Sequence, residues 1–120
     1  MRWANIRLSR CKDQAKRRKV NCDIDASDII SAFLDTDGRC PVPGCGKTML
    51  TVGGPQVDLV SIDRILPERG YTKGNIQVIC GSCNQAKGAA TVEAMAYHLA
   101  KMVNVLRADT KSAKSNPLPN

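Results

Sequence analysis

Four of the chain's six cysteines occur as two close pairs. Cys40 and Cys45 form a C-x4-C pair, which 34 residues separate from the C-x2-C pair of Cys80 and Cys83. Two such pairs, each on a glycine-containing turn, supply the four thiolates that a tetrahedral zinc ion binds. Because all four positions would be filled, the predicted zinc is structural and leaves no coordination position for a catalytic water. Paired thiols that bind no metal are the alternative.

A second group of polar residues lies between and after these pairs. Asp63 and Arg64 follow one apolar segment, Asn75 precedes another, and Asn84 and Lys87 come after the second cysteine pair. Folded as strand, loop, strand and helix, these side chains would converge near the loop. A carboxylate and an amide oxygen suit Mg²⁺, and a metal with so few protein ligands can accept a phosphate oxygen. A structural ion pair between the acid and the arginine is the simpler alternative.

The charge of the chain is distributed unevenly. Its formal net charge is +7, yet residues 1–19 contain eight basic residues and one acid, whereas residues 20–37 contain five acids and no base. A basic segment can lie along a phosphate backbone, and a solvated charged helix is the alternative. The predicted nucleic-acid-binding residues are Arg10, Lys16, Arg17, Arg18, Lys19 and Lys87.

Periodicity predicts the elements that position these groups. A basic helix over residues 6–19 precedes a short strand through Val20, Cys22 and Ile24, and Asp25 or Ser27 caps a second helix. The expected strands are residues 48–52, 57–62 and 76–79, and a short helix is expected over residues 84–87.

The last predicted helix begins after Thr91 and carries an apolar stripe at helical spacing, expected to pack in the core. The stripe consists of Val92, Met95, Ala96, Leu99, Met102, Val103 and Leu106. His98, the single histidine of the chain, is expected at the surface or half-buried.

The 120 residues suit one domain. The N-terminal residues contain no apolar signal-peptide core, and no segment approaches the roughly 18 apolar residues of a membrane span. We therefore expect a cytoplasmic protein with no membrane partner. Disulfides are rare in the cytoplasm, so paired cysteines there point to metal binding.

The segment from Ser61 to Lys87 reads SIDRILPERGYTKGNIQVICGSCNQAK. It resembles the HNH (His-Asn-His) endonuclease family, also called the ββα-metal or His-Me finger fold. In particular it is similar to the small phage and prophage members, with their pattern of DRI, GY, GN, V, C-x2-CN and K. The detailed likeness covers residues 38–90, and a weaker one covers residues 10–37 and the last helix.

This resemblance implies an α+β fold with a ββα-metal core, held together by the four-cysteine zinc site and flanked by N-terminal and C-terminal helices. Residues 1–37 would form the basic helix, short strand and second helix that pack on the core. Residues 38–108 would form the nuclease domain with its C-terminal helix, and residues 109–120 a flexible tail.

The resemblance also implies roles for single residues. Asp63 corresponds to the metal-binding acid, and Asn75 to the middle Asn that braces the loop facing the active site. Asn84 stands where the family has its last His or Asn, a metal ligand, and Lys87 corresponds to a basic residue near the phosphates. The cysteines Cys40, Cys45, Cys80 and Cys83 correspond to the zinc ligands of many members.

Arg64 departs from the family pattern, which most often has the general-base His at this position. An arginine has no lone pair to offer at neutral pH, since its pKa lies above ~12. Three interpretations stay open: the metal alone activates water, another residue such as Tyr71 substitutes, or the site is catalytically weak and mainly binds nucleic acid. In each, Arg64 could bind a phosphate and stabilise developing charge.

The resemblance implies a metal-dependent endonuclease, encoded by a phage or prophage and acting in the bacterial host cell, that nicks or cuts DNA phosphodiester bonds. Mg²⁺ or Mn²⁺ would bind Asp63 and Asn84, while the basic helix would hold phosphates away from the cut. RNA as a substrate, and a monomer or a homodimer, stay open. The alternatives are a catalytically weak or inactive nucleic-acid-binding zinc module and a small structural zinc protein.

Overall fold

The computed structural model describes residues 1–87 and 91–114, with side chains described up to residue 109. The basic N-terminal segment forms helix α1, Arg2–Arg18. Basic residues in its last turn complement the helix dipole, and Lys19 ends the helix in the left-handed conformation with φ 57°. The buried residues of α1 recur every three or four positions, and they are Ala4, Arg7, Cys11 and Ala15.

Helix α2, Ala26–Leu34, begins at a reciprocal cap. The Asp28 N–H donates to the Asp25 carboxylate (3.1 Å), and the Asp25 N–H donates to the Asp28 carboxylate (2.9 Å). The strand expected just before this helix is reduced to a single bridge between Cys22 and Tyr71.

Two antiparallel strands form the hairpin beside which the candidate site lies. They are β1, Val60–Arg64, and β2, Ile76–Cys80, which ends at the second cysteine pair. The expectation of a strand at residues 48–52 is wrong, because this segment makes only isolated bridges. The strand expected at residues 57–62 is present but shifted to residues 60–64, because Gln56–Asp58 forms a 3-10 turn. Val78 and Ile79 of β2 are almost fully buried, so pairing with β2 places β1 against the hydrophobic core.

Helix α3, Gly81–Ala86, follows β2 directly. A Cβ at Gly81 would overlap the carbonyl oxygen of Gln56, so glycine permits the close approach of the 3-10 turn to this helix. Helix α4, Val92–Lys114, then begins at Thr91, whose hydroxyl accepts from the Ala94 N–H at 3.0 Å.

Helix α4 buries a different face from the expected one. Within residues 92–109, its buried residues are Ala94 and His98, while the expected core residues Val92, Met95 and Leu99 are 76%, 51% and 59% exposed. The face with Ala94 and His98 lines one cavity with residues 42–45 of the first cysteine loop, so the apolar stripe faces away from it. The expectation that this stripe packs in the core is therefore wrong.

The last helix also runs past the expected start of the tail. Residues 109–114 are helical, and Asp109 forms a 2.5 Å ion pair with Arg69. The rest of the predicted flexible tail, residues 115–120, lies outside the described residues.

The architecture is α+β, as expected: a two-stranded antiparallel sheet with helices and a four-cysteine cluster. Within residues 1–87 and 91–114, none of the helices has the length and apolar character that crossing a membrane requires.

Candidate metal centre and adjoining cleft

The four predicted zinc ligands lie together. The sulfur atoms of Cys40, Cys45, Cys80 and Cys83 are all within 4.8 Å of one another, and those of Cys45 and Cys80 are 3.8 Å apart. Tetrahedral zinc, with Zn–S near 2.3 Å, separates its sulfurs by about 3.8 Å, whereas a disulfide requires about 2.05 Å. The cluster could therefore hold a metal ion, and its geometry is compatible with structural zinc.

The surroundings of these sulfurs suit metal-bound thiolates. The Cys80 N–H points at the Cys40 sulfur and the Cys83 N–H at the Cys80 sulfur, both at 3.4 Å. Burial raises the pKa of the Cys40 and Cys83 thiols. Burial would also raise the pKa of Cys45, but hydrogen bonds from the Lys47 backbone and the other cysteines outweigh it and lower that pKa. Metal binding must therefore displace protons from this cluster.

The cluster joins parts of the chain that are distant in sequence. Cys40 and Cys45 lie on a closed loop, in which the Cys45 N–H donates to the Val42 carbonyl at 3.0 Å. Cys80 ends β2 and Cys83 lies in α3. A metal at this point would therefore fix the loop after α2 to the end of the hairpin.

A cleft of about 240 Å³ opens next to the hairpin, and we call it the Asp63 cleft. Its polar lining residues come from α1, β1, the loop after β1, and the region of α3; they are Gln14, Arg18, Asp63, Arg64, Tyr71, Asn84 and Lys87. The structure thus brings together Asp63, Arg64, Asn84 and Lys87 of the predicted site. Asn75 does not line this cleft.

Asp63 is the most buried charged group of the cleft, with 4% exposure. Its Oδ1 forms an ion pair with the Lys87 ammonium group, which also donates to the Arg64 carbonyl at 3.0 Å. Its Oδ2 accepts a 2.9 Å hydrogen bond from Gln77, its partner across the hairpin. The ionic partner of Asp63 is therefore Lys87, and the carboxylate keeps spare lone pairs for a further ligand.

Asn84 lies in α3 and is anchored through its amide nitrogen. This nitrogen donates to the Ser61 hydroxyl at 2.6 Å. The anchoring leaves the amide oxygen, a hard ligand of the kind that Mg²⁺ prefers, available as an acceptor.

Asn75 is a bracing residue within the loop that connects the strands. Its side chain is 2% exposed. It accepts from the Leu66 N–H at 2.9 Å and donates to the Leu66 and Gly70 carbonyls at 3.0 and 2.8 Å. These bonds hold the loop closed, which agrees with the bracing role that the resemblance implies.

Arg64 is held by the same loop. Its guanidinium donates to the Pro67 carbonyl at 3.2 Å and lies over the Tyr71 ring, 5.6 Å from the centroid. Burial raises the pKa of the Tyr71 hydroxyl. That shift disfavours the phenolate, so Tyr71 is a poor general base at neutral pH.

A buried network behind Asp63 was not predicted from the sequence. The Gln77 amide nitrogen donates to Asp63 and lies 3.3 Å from Nδ1 of His98, which is buried rather than at the surface. Burial is the main cause that lowers the pKa of His98, which favours the neutral imidazole. A neutral ring can accept the Gln77 amide hydrogen at Nδ1. A predicted register for the pairing of β1 with β2 would have placed Gln77 beside Asp63, since the two residues are cross-strand partners.

A second, larger cleft of about 430 Å³ adjoins the Asp63 cleft along α1, and we call it the Arg7 cleft. The residues that line both clefts are Gln14, Ile62, Tyr71 and Asn84. Of the predicted nucleic-acid-binding residues, Arg10 and Arg17 line the Arg7 cleft and Arg18 and Lys87 line the Asp63 cleft, whereas Lys16 and Lys19 line neither. Helix α1 therefore borders the candidate site directly, rather than lying away from it as expected.

Comparison of this chain with protein-family models, with curated proteins and with solved structures finds no match. A function for this chain is therefore supported by the site itself and by the resemblance carried by residues 61–87.

Proposed function

We propose that this protein is a metal-dependent endonuclease that hydrolyses DNA phosphodiester bonds in the Asp63 cleft. The observation that supports this most is the convergence of Asp63, Asn84, Arg64 and Lys87 in one cleft bordered by the basic helix α1. A hard anionic ligand and several cations around one cavity suit a phosphate bound through a divalent metal. The succession of β1, β2 and α3 agrees with the ββα-metal core that the resemblance implies.

The donor atoms of the cleft fit Mg²⁺ or Mn²⁺. The Asp63 carboxylate and the Asn84 amide oxygen are oxygen ligands, and so few protein ligands would leave room for waters and phosphate oxygens. Such an ion supplies Lewis-acid stabilisation of the leaving oxygen and acidifies bound water. The Lys87 ammonium group now neutralises Asp63, so a divalent ion has to compete with it.

The other groups of the cleft would act on the phosphate. Arg64 carries a planar guanidinium that can donate two parallel hydrogen bonds to phosphate oxygens. Lys87, once displaced from Asp63, would offer its ammonium group to the same phosphate. Asn75 and Gln77 position the loop and the carboxylate without touching the substrate.

The chain lacks a histidine at the position of Arg64, and His98 is held behind Asp63 by Gln77. The raised pKa of Tyr71 weighs against that residue as the base. Of the three interpretations, activation of water by the metal without a side-chain base therefore fits the cleft best. Loss of a general base costs about 10²- to 10⁴-fold, so we expect slow cleavage.

A plasmid-nicking assay with Mg²⁺ or Mn²⁺ tests this function. Wild-type protein should convert supercoiled plasmid to the nicked form, and Asp63→Ala should lose this activity. Asp58→Asn is a matched control, because Asp58 pairs with Lys47 outside the cleft. Absence of nicking by the wild type with either metal would refute the proposal.

The Arg64→His variant is the companion experiment. If the site lacks only a base, a histidine there should raise the nicking rate by about 10²-fold or more. An unchanged or lower rate would indicate that Arg64 itself stabilises the transition state.

A non-catalytic zinc module that binds nucleic acid is the second candidate. It is favoured by the ion pair between Lys87 and Asp63, which satisfies the carboxylate without a metal. DNA binding that persists in Asp63→Ala, together with no cleavage by the wild type, would support it. A small structural zinc protein is the third, and DNA binding that does not weaken as salt rises would favour it over both.

A further inference from the structure

Arg7 is a buried cation on the inner face of α1. The inner face otherwise consists of the small residues Ala4, Cys11 and Ala15. Arg7 is 9% exposed, and its Nε has no hydrogen-bond partner. Among the described residues, no ion pair includes it. A buried cation with an unpartnered nitrogen is costly to the fold, and an anion that enters the adjoining cleft would offset this cost.

The charge around Arg7 is also positive. Burial is the main cause that lowers the pKa of Arg7, and the neighbouring charge of Arg10 lowers it further. Both arginines line the Arg7 cleft with Arg17, and Asp13 is the one carboxylate on that wall. Arg17 donates to the Gln14 side chain at 2.9 Å, which orders the same face of α1.

The far wall of the Arg7 cleft carries hydrogen-bonding groups without charge. Ser61 and Asn84 form one of its edges and are bonded to each other. Asn84 also lines the Asp63 cleft. The two clefts are therefore adjacent, and an extended polyanion could occupy both.

We propose that the Arg7 cleft is a phosphate-binding site for a nucleic-acid strand, in which Arg7 and Arg10 hold a backbone phosphate next to the one at Asp63. The placement of that second phosphate relative to the Asp63 cleft rests on the proposed function, whereas phosphate binding itself does not. An anion at this position would provide the charge partner that Arg7 lacks among the described residues. The site reads no base, so it predicts affinity without sequence preference.

Binding of a fluorescein-labelled 12-nucleotide DNA strand, measured by anisotropy without added divalent metal, tests the proposal. Arg7→Gln should weaken binding by about tenfold or more, because a charged hydrogen bond to the phosphate is lost. It should also reduce the slope of log affinity against log salt by about 1. Lys12→Gln removes the same charge from the exposed side of α1, outside both clefts, and should weaken binding much less.

Equal losses in Arg7→Gln and Lys12→Gln would overturn the proposal, since a general electrostatic effect would then explain both. Arg10→Gln is the second variant if Arg7→Gln does not fold, because Arg10 is exposed. Its affinity should also fall well below that of Lys12→Gln, and an affinity equal to it would again contradict the site.

Inorganic phosphate separates a strand site from a free-phosphate site. Phosphate should raise the melting temperature of the wild type but not of Arg7→Gln, because a ligand stabilises only the state that binds it. If phosphate acts through Arg7 while the DNA strand does not, the assignment to a strand is wrong.

The same anisotropy measurement in an Asp63→Ala background separates this inference from the proposed function. The effect of Arg7→Gln on strand binding should persist there. If the wild type never cleaves DNA but this effect persists, the nuclease proposal fails and the phosphate site stands. Loss of the Arg7 effect in the Asp63→Ala background would contradict the site.

Discussion

The cysteine cluster and the Asp63 cleft use the same hairpin in opposite ways. The cluster lies at one end of the hairpin, where Cys80 pairs with Val60. The cleft lies toward the opposite end, where Arg64 pairs with Ile76. The cluster is a closed set of four identical ligands. The cleft mixes an acid, an amide and several cations, and leaves room for a ligand. The difference shows that one small sheet borders both a closed cluster of cysteines that could hold a metal ion and an open polar cleft.

The largest effect is expected from breaking the cluster. Cys80→Ser should remove zinc and leave the protein largely unfolded, because structural zinc sites contribute about 10 kcal/mol or more of binding free energy to folding. Circular dichroism and zinc content report this directly. Cys22→Ser, a cysteine outside the cluster, should retain zinc and secondary structure; equal loss in both variants would contradict a specific role for the four cysteines.

Asn75→Ala should have the next largest effect, because it acts on the cleft side of the hairpin. It leaves the Leu66 N–H and two carbonyls without partners, which should lower the free energy of unfolding by about 3 kcal/mol. Denaturant unfolding measures the change. The exposed Asn104→Ala on α4 should change stability by under about 0.5 kcal/mol. A similarly small effect at Asn75 would mean that the loop does not depend on this brace.

Lys87→Met tests the cleft separately from the cluster, because it removes the cation that pairs with Asp63. Removing the ammonium group from Asp63 should tighten Mn²⁺ binding by about tenfold. The expected gain is modest because Lys87 is partly exposed and solvent screens its charge. Calorimetry on zinc-loaded protein measures it. Lys73→Met, which removes a cation paired with Asp28, should leave Mn²⁺ affinity unchanged. Weaker Mn²⁺ binding in Lys87→Met would show that the metal site is elsewhere.

The smallest effect concerns the buried His98. Its pKa is lowered mainly by burial, with Asp63 raising it and Lys87 lowering it. The unfolded chain therefore binds more protons below pH ~6.5, so stability should fall as pH drops through that range and be unaffected above it. His98→Asn should flatten this dependence, because it removes the group whose pKa differs between the folded and unfolded chain. Parallel stability profiles for the two proteins would contradict the assignment.

Local sequence signals predicted the cluster and most helices. The spacing of the cysteines, the acids that cap α2 and the basic run of α1 all act within a few residues, so they can be read directly. Local signals could not exclude the expected strand at residues 48–52, because strand pairing is not a local property. In the structure β1 pairs with β2, which follows the loop of residues 65–75. Which segment pairs with β1 depends on how much apolar surface each possible partner would bury.

Long-range packing explains the remaining differences. Helix α4 has apolar residues on more than one face, and its own sequence does not decide which face is buried. His98 lies beside Gln77 of β2, and it lines one cavity with Ala94 and residues 42–45 of the first cysteine loop. Arg7 was not among the residues predicted to bind nucleic acid, because nothing local distinguishes it from the other cations of the basic segment. Its helical spacing with Ala4 and Cys11 was the available signal, but it became meaningful only once the packed face of α1 was known.

We propose that zinc bound to the four cysteines holds the fold together and that DNA cleavage takes place in the Asp63 cleft. Zinc content and plasmid nicking, measured on one preparation of Asp63→Ala beside the wild type, test it most directly. We predict about one zinc per chain in both proteins and nicking by the wild type alone. Nicking that persists in Asp63→Ala, or zinc that is lost along with nicking, would contradict the claim.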